Sequence, residues 1–170
     1  MLTIALALLQ VSVSPAAVTP AGLERLAVRV ANPSDTPIVA VRVEVPEALT
    51  ILGVDAPPGW TARLFAATDS SAPAIEWSGG TLAQREFHEF AFFARLGATV
   101  RPNALVLPVA IRRADGTVHQ WRPGGFGAAP TVEIHGTVAV TPGGAFTLAA
   151  AAIGLAALGI ALALRRPPSR

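Results

Sequence analysis

Alternation of apolar and polar residues between turn residues constrains the fold of this chain most strongly. Residues 26–30 read Leu-Ala-Val-Arg-Val, and Val recurs at every second position of residues 39–45. A period of two places successive side chains on opposite faces of a strand, as in antiparallel sheets with one solvated face. Turns are expected at three places: Asn32-Pro33-Ser34-Asp35, Gly79-Gly80 and Asp115-Gly116. Short strands with frequent turn signals and no amphipathic helix predict an all-β, antiparallel β-sandwich.

Composition excludes several classes of partner and site. The 170 residues include no Cys, so neither disulfides nor thiolate metal ligands are available. All thirteen basic residues are Arg, and three of them follow an apolar segment at the C-terminus. The rest of the chain then holds ten Arg against eleven acidic residues, which leaves no basic groove for a phosphate backbone. We therefore expect no nucleic-acid partner.

The C-terminal part of the sequence predicts a membrane anchor. Residues 146–164 carry no charged side chain, and at about 1.5 Å per helical residue they just cross a hydrocarbon core of roughly 30 Å. Arg165 and Arg166 follow directly, which favours a cytoplasmic tail at 165–170 and a domain on the extracytoplasmic side of the cell membrane. The alternative is a buried Ala-rich core helix, but apolar residues surround the whole helix instead of marking one face.

Boundaries of the folded domain follow from the two ends. Residues 1–9 are apolar and resemble a short signal peptide without its basic leader. Residues 137–145 contain Pro142-Gly143-Gly144 and predict a juxtamembrane linker. A single β-domain is expected between them, over residues 10–136.

Six segments of this domain together form a recognisable series: Val11-Ser12-Val13-Ser14-Pro15, Val28-Arg29-Val30-Ala31-Asn32-Pro33-Ser34-Asp35, Pro58-Gly59-Trp60, Trp77-Ser78-Gly79-Gly80, Phe87-His88-Glu89-Phe90, and Asp115 to Trp121. In this order and at this spacing they resemble the YcnI-like family of extracytoplasmic, copper-associated domains. The resemblance covers residues 10–136. It implies a β-sandwich of immunoglobulin-like or cupredoxin-like type with a C-terminal membrane anchor, and a membrane copper transporter or copper chaperone as partner.

The resemblance also implies a Cu(II) site. In the family an N-terminal histidine supplies an amine and an imidazole, a carboxylate neutralises charge, and a tryptophan covers the metal; Cu(II) prefers such nitrogen and oxygen donors. By position the carboxylate is Glu89 and the tryptophan is Trp121. Gln10 stands where the family has its histidine, and an amide is a poor ligand. The resemblance therefore implies a degraded copper site.

Each candidate metal residue has an alternative interpretation. His119 lies two positions before Trp121, so both should project from one face of a strand, and the imidazole there would replace the missing nitrogen ligand. His119 is otherwise a solvated or hydrogen-bonded histidine, Trp121 a core residue, and Glu89 an exposed charge. Trp60 and Trp77 are interpreted as core or edge aromatics.

Two functional hypotheses remain. The sequence has no Gly-x-Ser-x-Gly motif, no paired-histidine helix motif and no thiol nucleophile, so we predict no enzyme activity and no catalytic residue. The first hypothesis is a membrane-anchored protein that binds or traffics copper through a degraded site. The second is a structural or protein-interaction β-sandwich at the cell surface that binds no metal.

Overall fold

Alternating segments of the sequence form strands in the computed structural model, which describes residues 10–97 and 103–136. The strands predicted at 26–30 and 39–45 lie largely within β3 and β4. Within the described residues there are twelve strands and no helix. Their bounds are β1 Gln10–Ser14, β2 Ala17–Val18, β3 Leu23–Ala31, β4 Ile38–Glu44, β5 Leu49–Val54, β6 Thr61–Phe65, β7 Ala74–Leu82, β8 Phe87–Leu96, β9 Ala104–Val106, β10 Val109–Arg113, β11 Val118–Trp121 and β12 Thr131–Ile134.

The strands form two larger sheets and one small sheet. The four-stranded sheet has the order β1-β3-β8-β5, and the five-stranded sheet has the order β11-β10-β4-β7-β6. Every pair in these two sheets is antiparallel. The small sheet has the order β2-β12-β9, in which β12 runs parallel to β2. The predicted all-β, antiparallel class is thus confirmed for the part of the chain that the structure describes.

The core contains side chains from both larger sheets. Its largest fully buried members are Trp77 of the five-stranded sheet and Phe90 and Phe92 of the four-stranded sheet. The Trp77 and Phe90 rings are 5.4 Å apart, and Trp77 Nε1 donates a hydrogen bond to the Asp55 carbonyl at 2.7 Å. Trp60 packs edge-on against Phe90 at 5.0 Å, so the interpretation of Trp60 and Trp77 as core aromatics is confirmed.

One of the two predicted glycine turns is a hairpin turn. Asp115 and Gly116 connect β10 to β11, and Gly116 has a φ of 85°, in the left-handed region that glycine adopts freely. Asp115 Oδ1 accepts a hydrogen bond from the Thr117 N–H at 2.9 Å. That bond, to the ionised carboxylate, holds the pKa of Asp115 below its ordinary value.

The turn predicted at Gly79-Gly80 is wrong. Both residues lie inside β7, where the pairing with β4 passes from Ile38 opposite Leu82 to Ala40 opposite Ser78. One residue of β4, Val39, therefore lies opposite three residues of β7, which is an irregularity of the β-bulge kind. Gly79 supplies a φ of 87° for this bulge. Gly79 thus has the positive φ that is typical of a turn glycine, but it lies in a bulge.

Both predicted membrane-related segments lie outside the described residues. These are the signal-like residues 1–9 and the anchor at 146–164, together with the linker 137–145 and the tail 165–170. Residues 10–97 and 103–136 contain no helical segment that could span a bilayer.

Candidate functional site

Position 10 and Glu89 belong to neighbouring rows of the four-stranded sheet, where a row is the set of residues that lie opposite one another on adjacent strands. The register places position 10 opposite Ala31, and Ala31 opposite Phe87. The next row contains Ser12, Arg29 and Glu89. Directly paired residues of antiparallel strands share a face, as do residues two apart on one strand. Position 10 and Glu89 are thus separated by strand β3 and by one row of the sheet.

Glu89 already has a cationic partner in this sheet. Arg29 Nη2 lies 2.8 Å from Glu89 Oε1, and the Arg29 guanidinium also lies over the Phe87 ring, 5.3 Å from its centre. The two side chains are 56% and 36% exposed, so the pair is a surface ion pair of small net stability. A metal at Glu89 would have to displace Arg29 from the carboxylate or share the carboxylate with it.

His119 and Trp121 lie in the five-stranded sheet and pack against one phenyl ring. The Phe126 ring is 4.7 Å from the His119 ring and 5.5 Å from the Trp121 ring, with both contacts edge to face. Phe126 is held beside β11 because its N–H donates to the Gln120 carbonyl at 2.8 Å. These contacts are in keeping with a shared strand face, and they make Phe126 a part of the cluster.

Trp121 is a core residue as well as a neighbour of His119. Its side chain is 6% exposed and belongs to the buried cluster between the sheets, whereas His119 is half-buried. The structure therefore brings His119 and Trp121 together in one sheet, and it leaves Glu89 paired with Arg29 in the other sheet. Among the described residues, no three His, Asp, Glu or Cys side chains lie close enough together to hold a metal ion. Copper binding by Glu89, His119 and Trp121 remains a prediction.

Sequence reasoning missed a polar cluster in the loop that follows Ala31. Asn32 is 1% exposed, and its Nδ2 donates to the Thr36 and Leu82 carbonyls, each at 3.1 Å. Its Oδ1 accepts a hydrogen bond from the Ser34 N–H at 3.2 Å. The Asn-Pro-Ser-Asp composition had predicted a turn, and the structure adds the buried asparagine that holds it.

Arg113, at the end of β10 in the five-stranded sheet, donates hydrogen bonds to the same loop. Its Nη1 donates to Ser34 Oγ and, at 3.2 Å, to the Thr36 carbonyl. Its Nε is buried and has no hydrogen-bond partner among the described residues. Two adjacent arginines at 112 and 113 gave no sequence signal for this contact, because it joins residues almost eighty positions apart.

Comparison with known proteins supports the fold and identifies the family. A comparison with curated proteins gives no match. An uncharacterized protein from Nocardia farcinica, described as having an immunoglobulin-like fold, is 23% identical with a TM-score of 0.58, and the alignment covers 74% of this chain and 98% of that one. A cohesin module from a Clostridium perfringens family 33 glycoside hydrolase is 10% identical with a TM-score of 0.51, covering 75% and 98%.

At these identities the two structures support an immunoglobulin-like β-sandwich and nothing about function. The family model described as "Domain of unknown function (DUF1775)" matches residues 10–131, which begins at the first residue of the predicted domain. This match covers well over half of the chain and nearly all of the described strands. The chain belongs to the DUF1775 family.

Proposed function

We propose that this protein is a membrane-anchored, extracytoplasmic domain associated with copper binding or copper trafficking, with a weakened metal site. In this proposal the apolar residues 146–164 hold the chain in the cell membrane, and the β-sandwich faces the outside. The sandwich buffers Cu(II) or passes it to a membrane copper transporter or copper chaperone.

The register of the four-stranded sheet is the observation that supports this function. Position 10 and Glu89 lie in neighbouring rows on either side of β3, so one region of the sheet contains both the first residue of the predicted domain and a carboxylate. Gln10 offers no imidazole, so affinity has to come from Glu89, from a free N-terminal amine and from His119 as the candidate replacement nitrogen ligand. Binding by these groups alone is expected to be weak.

A second candidate function is favoured by the Arg29–Glu89 pair. An arginine 2.8 Å from the carboxylate satisfies its charge without a metal. In this alternative the domain is a structural or protein-interaction β-sandwich at the cell surface. The two candidates differ in one measurable property, which is Cu(II) binding at Glu89.

The discriminating experiment is a Cu(II) titration of the purified protein, with residue 10 as the free N-terminus. Gln10→His should restore an amine and an imidazole on one residue and raise affinity by at least tenfold, because two linked donors lose little further entropy on chelation. Arg29→Gln should also raise affinity, because it frees the Glu89 carboxylate. Glu89→Gln should abolish binding, whereas Glu133→Gln, an exposed acid 2.7 Å from His135, serves as the matched control.

His119 is tested in the same titration. Loss of binding in both Glu89→Gln and His119→Ala would assign the imidazole as the replacement nitrogen ligand. If neither the natural protein nor Gln10→His binds Cu(II), the copper function is wrong and the interaction function takes its place.

The anchor is tested separately from the metal. The full chain should stay with membranes after carbonate extraction, and protease added outside intact cells should cleave the β-domain. Recovery of the full chain in the soluble fraction would contradict the proposed topology.

A further inference from the structure

A compact group of exposed apolar and cationic side chains lies on the outer face of the four-stranded sheet. Leu23 of β3 pairs with Arg95 of β8, and two residues along, Arg25 pairs with Phe93. Leu52 is the additional residue of a bulge in β5, next to the residue that pairs with Phe93. Direct pairs and residues two apart share one face, so these side chains form one surface. We call these five residues the basic-apolar patch.

The apolar side chains of this patch are unusually exposed to solvent. Leu23 is 60% exposed, Leu52 is 53% exposed and Phe93 is 43% exposed. Single exposed apolar residues are ordinary, but three on adjacent strands mark an interaction surface. Arg25 and Arg95 are also exposed, and the two cross-strand rows contain no acidic residue. The patch therefore combines apolar area with unneutralised positive charge.

The patch lies at the end of the sandwich where the described chain stops. Strand β12 runs parallel to β2, and the His135 N–H donates to the Val18 carbonyl at 2.9 Å. A short turn leads from Val18 to the start of β3 at Leu23, and the Leu96 N–H donates to the Gly22 carbonyl at 3.2 Å. Gly136 consequently leaves the domain close to the first residue of β3.

The length of chain beyond Gly136 limits how far this end can be from a bilayer. Ten positions separate Gly136 from Phe146, where the apolar run begins. Even fully extended, they span about 35 Å. If residues 146–164 cross the membrane, as the proposed function requires, the end that carries the patch is the end tethered to the bilayer surface.

We propose that the basic-apolar patch docks on the surface of a bilayer that contains anionic lipid. Arg25 and Arg95 contact lipid phosphates, while Leu23, Leu52 and Phe93 enter the interfacial region. Combined apolar burial and attraction between Arg and anionic lipid is the general basis of surface binding to membranes. The position beside the chain exit favours a bilayer over a protein partner, because the chain that leaves the domain there leads to the predicted anchor. The domain would then lie in one fixed orientation on the membrane.

The test uses the full chain with a single fluorescent label. The natural sequence has no Cys, so Leu52→Cys gives one attachment site for an environment-sensitive fluorophore. Leu64→Cys is the matched control, because Leu64 is 60% exposed on the edge strand β6 of the other sheet. Each protein is reconstituted into phosphatidylcholine vesicles with or without phosphatidylglycerol and with a quencher on the lipid chains. Leu23→Cys provides a second reporter in case labelling at position 52 disturbs the bulge.

For the label at position 52 we expect a blue shift of the fluorescence emission and quenching by the labelled lipid, and both effects should be larger with phosphatidylglycerol. The label at position 64 should show neither change. Arg25→Gln with Arg95→Gln should remove the dependence on phosphatidylglycerol. Equal signals at positions 52 and 64, or no quenching at positions 52 and 23, would overturn the proposal and leave a protein partner as the explanation of the patch.

Failure of the anchor can be distinguished from failure of the patch. Carbonate extraction of the same vesicles reports on the anchor alone. A retained chain without quenching at positions 52 and 23 contradicts only the patch. A chain released by carbonate contradicts the anchor, and the labelled full chain is then mixed with preformed vesicles. Quenching at position 52 in that mixture supports the patch, and its absence overturns it.

Discussion

Replacement of Asn32 by alanine should destabilise the domain strongly. Asn32 is almost completely buried and makes three side-chain hydrogen bonds, to the Thr36 and Leu82 carbonyls and from the Ser34 N–H. The bond to Leu82 is itself buried and joins the β3–β4 loop to the end of β7. Alanine removes all three bonds and leaves the Leu82 carbonyl without this donor.

The magnitude follows from the individual bonds. A typical hydrogen bond contributes about 1 kcal/mol net, and a buried group left without a partner costs about 1–3 kcal/mol. Part of the exposed loop can bind water after the substitution, so the sum for three bonds is reduced. We expect Asn32→Ala to lower the free energy of unfolding by about 2–4 kcal/mol, which is a fall in Tm on the order of 10 °C for a domain of this size.

The assay is urea and thermal unfolding of the purified protein, followed by Trp fluorescence. Asn103→Ala is the matched control, because Asn103 is exposed and its substitution should change stability by less than about 0.5 kcal/mol. Asn32→Asp keeps an acceptor for the Ser34 N–H but replaces the donor with a buried charge, so it should cost at least as much as alanine at neutral pH. A loss below about 1 kcal/mol in Asn32→Ala would show that Arg113 or water satisfies the loop without Asn32.

Three further predictions concern the turn, the bulge and one carboxylate. Gly116→Val should lower the free energy of unfolding by roughly 1 kcal/mol or more in urea titration, while Gly116→Asn should cost less, because Asn tolerates positive φ. A Cβ at position 116 meets no atom within 4 Å, so the loss should come from the backbone conformation alone. Equal losses in the Val and Asn variants would contradict this cause. Gly80→Ala should cost about 1–3 kcal/mol and alter Trp fluorescence, because the added Cβ overlaps the buried Trp60 ring; an unchanged Tm would refute this contact. The Asp115 carboxyl should titrate at a lower pH in the folded protein than in urea by carbon-detected NMR, because the Thr117 N–H stabilises its ionised form. Its small contribution to stability is therefore present above the unfolded pKa and lost as the pH falls through the folded pKa, and coincident titration curves would contradict this.

Local pattern predicted the strands better than it predicted their partners. The alternation at 26–30 and 39–45 lies in β3 and β4, because a half-buried strand leaves its period in the sequence. Gly116 was correctly placed in a turn, but Gly79 has nearly the same φ inside β7. Positive φ alone cannot distinguish a hairpin from a bulge, since the difference lies in the pairing with β4.

The candidate site depends on pairing that no local pattern encodes. Glu89 and Arg29 are sixty positions apart and meet only because β3 and β8 align in one particular register. His119 and Trp121 share a strand, so their proximity could be predicted, but the Phe126 ring that joins them comes from the following loop. The sequence alone could therefore nominate Glu89, His119 and Trp121, and it could not show that they lie in different sheets.

Short strands at the sheet edges bear on how this domain can associate with other chains. The edge strands β1, β5, β6 and β11 have five, six, five and four residues, whereas the central strands β3 and β8 have nine and ten. Strand β5 is also interrupted by its bulge. Short or bulged edges offer few consecutive backbone groups to an incoming strand, so they disfavour both β-strand addition and edge-to-edge aggregation. The faces and loops of the sandwich are therefore the surfaces on which we expect a partner to be sought, instead of the strand edges.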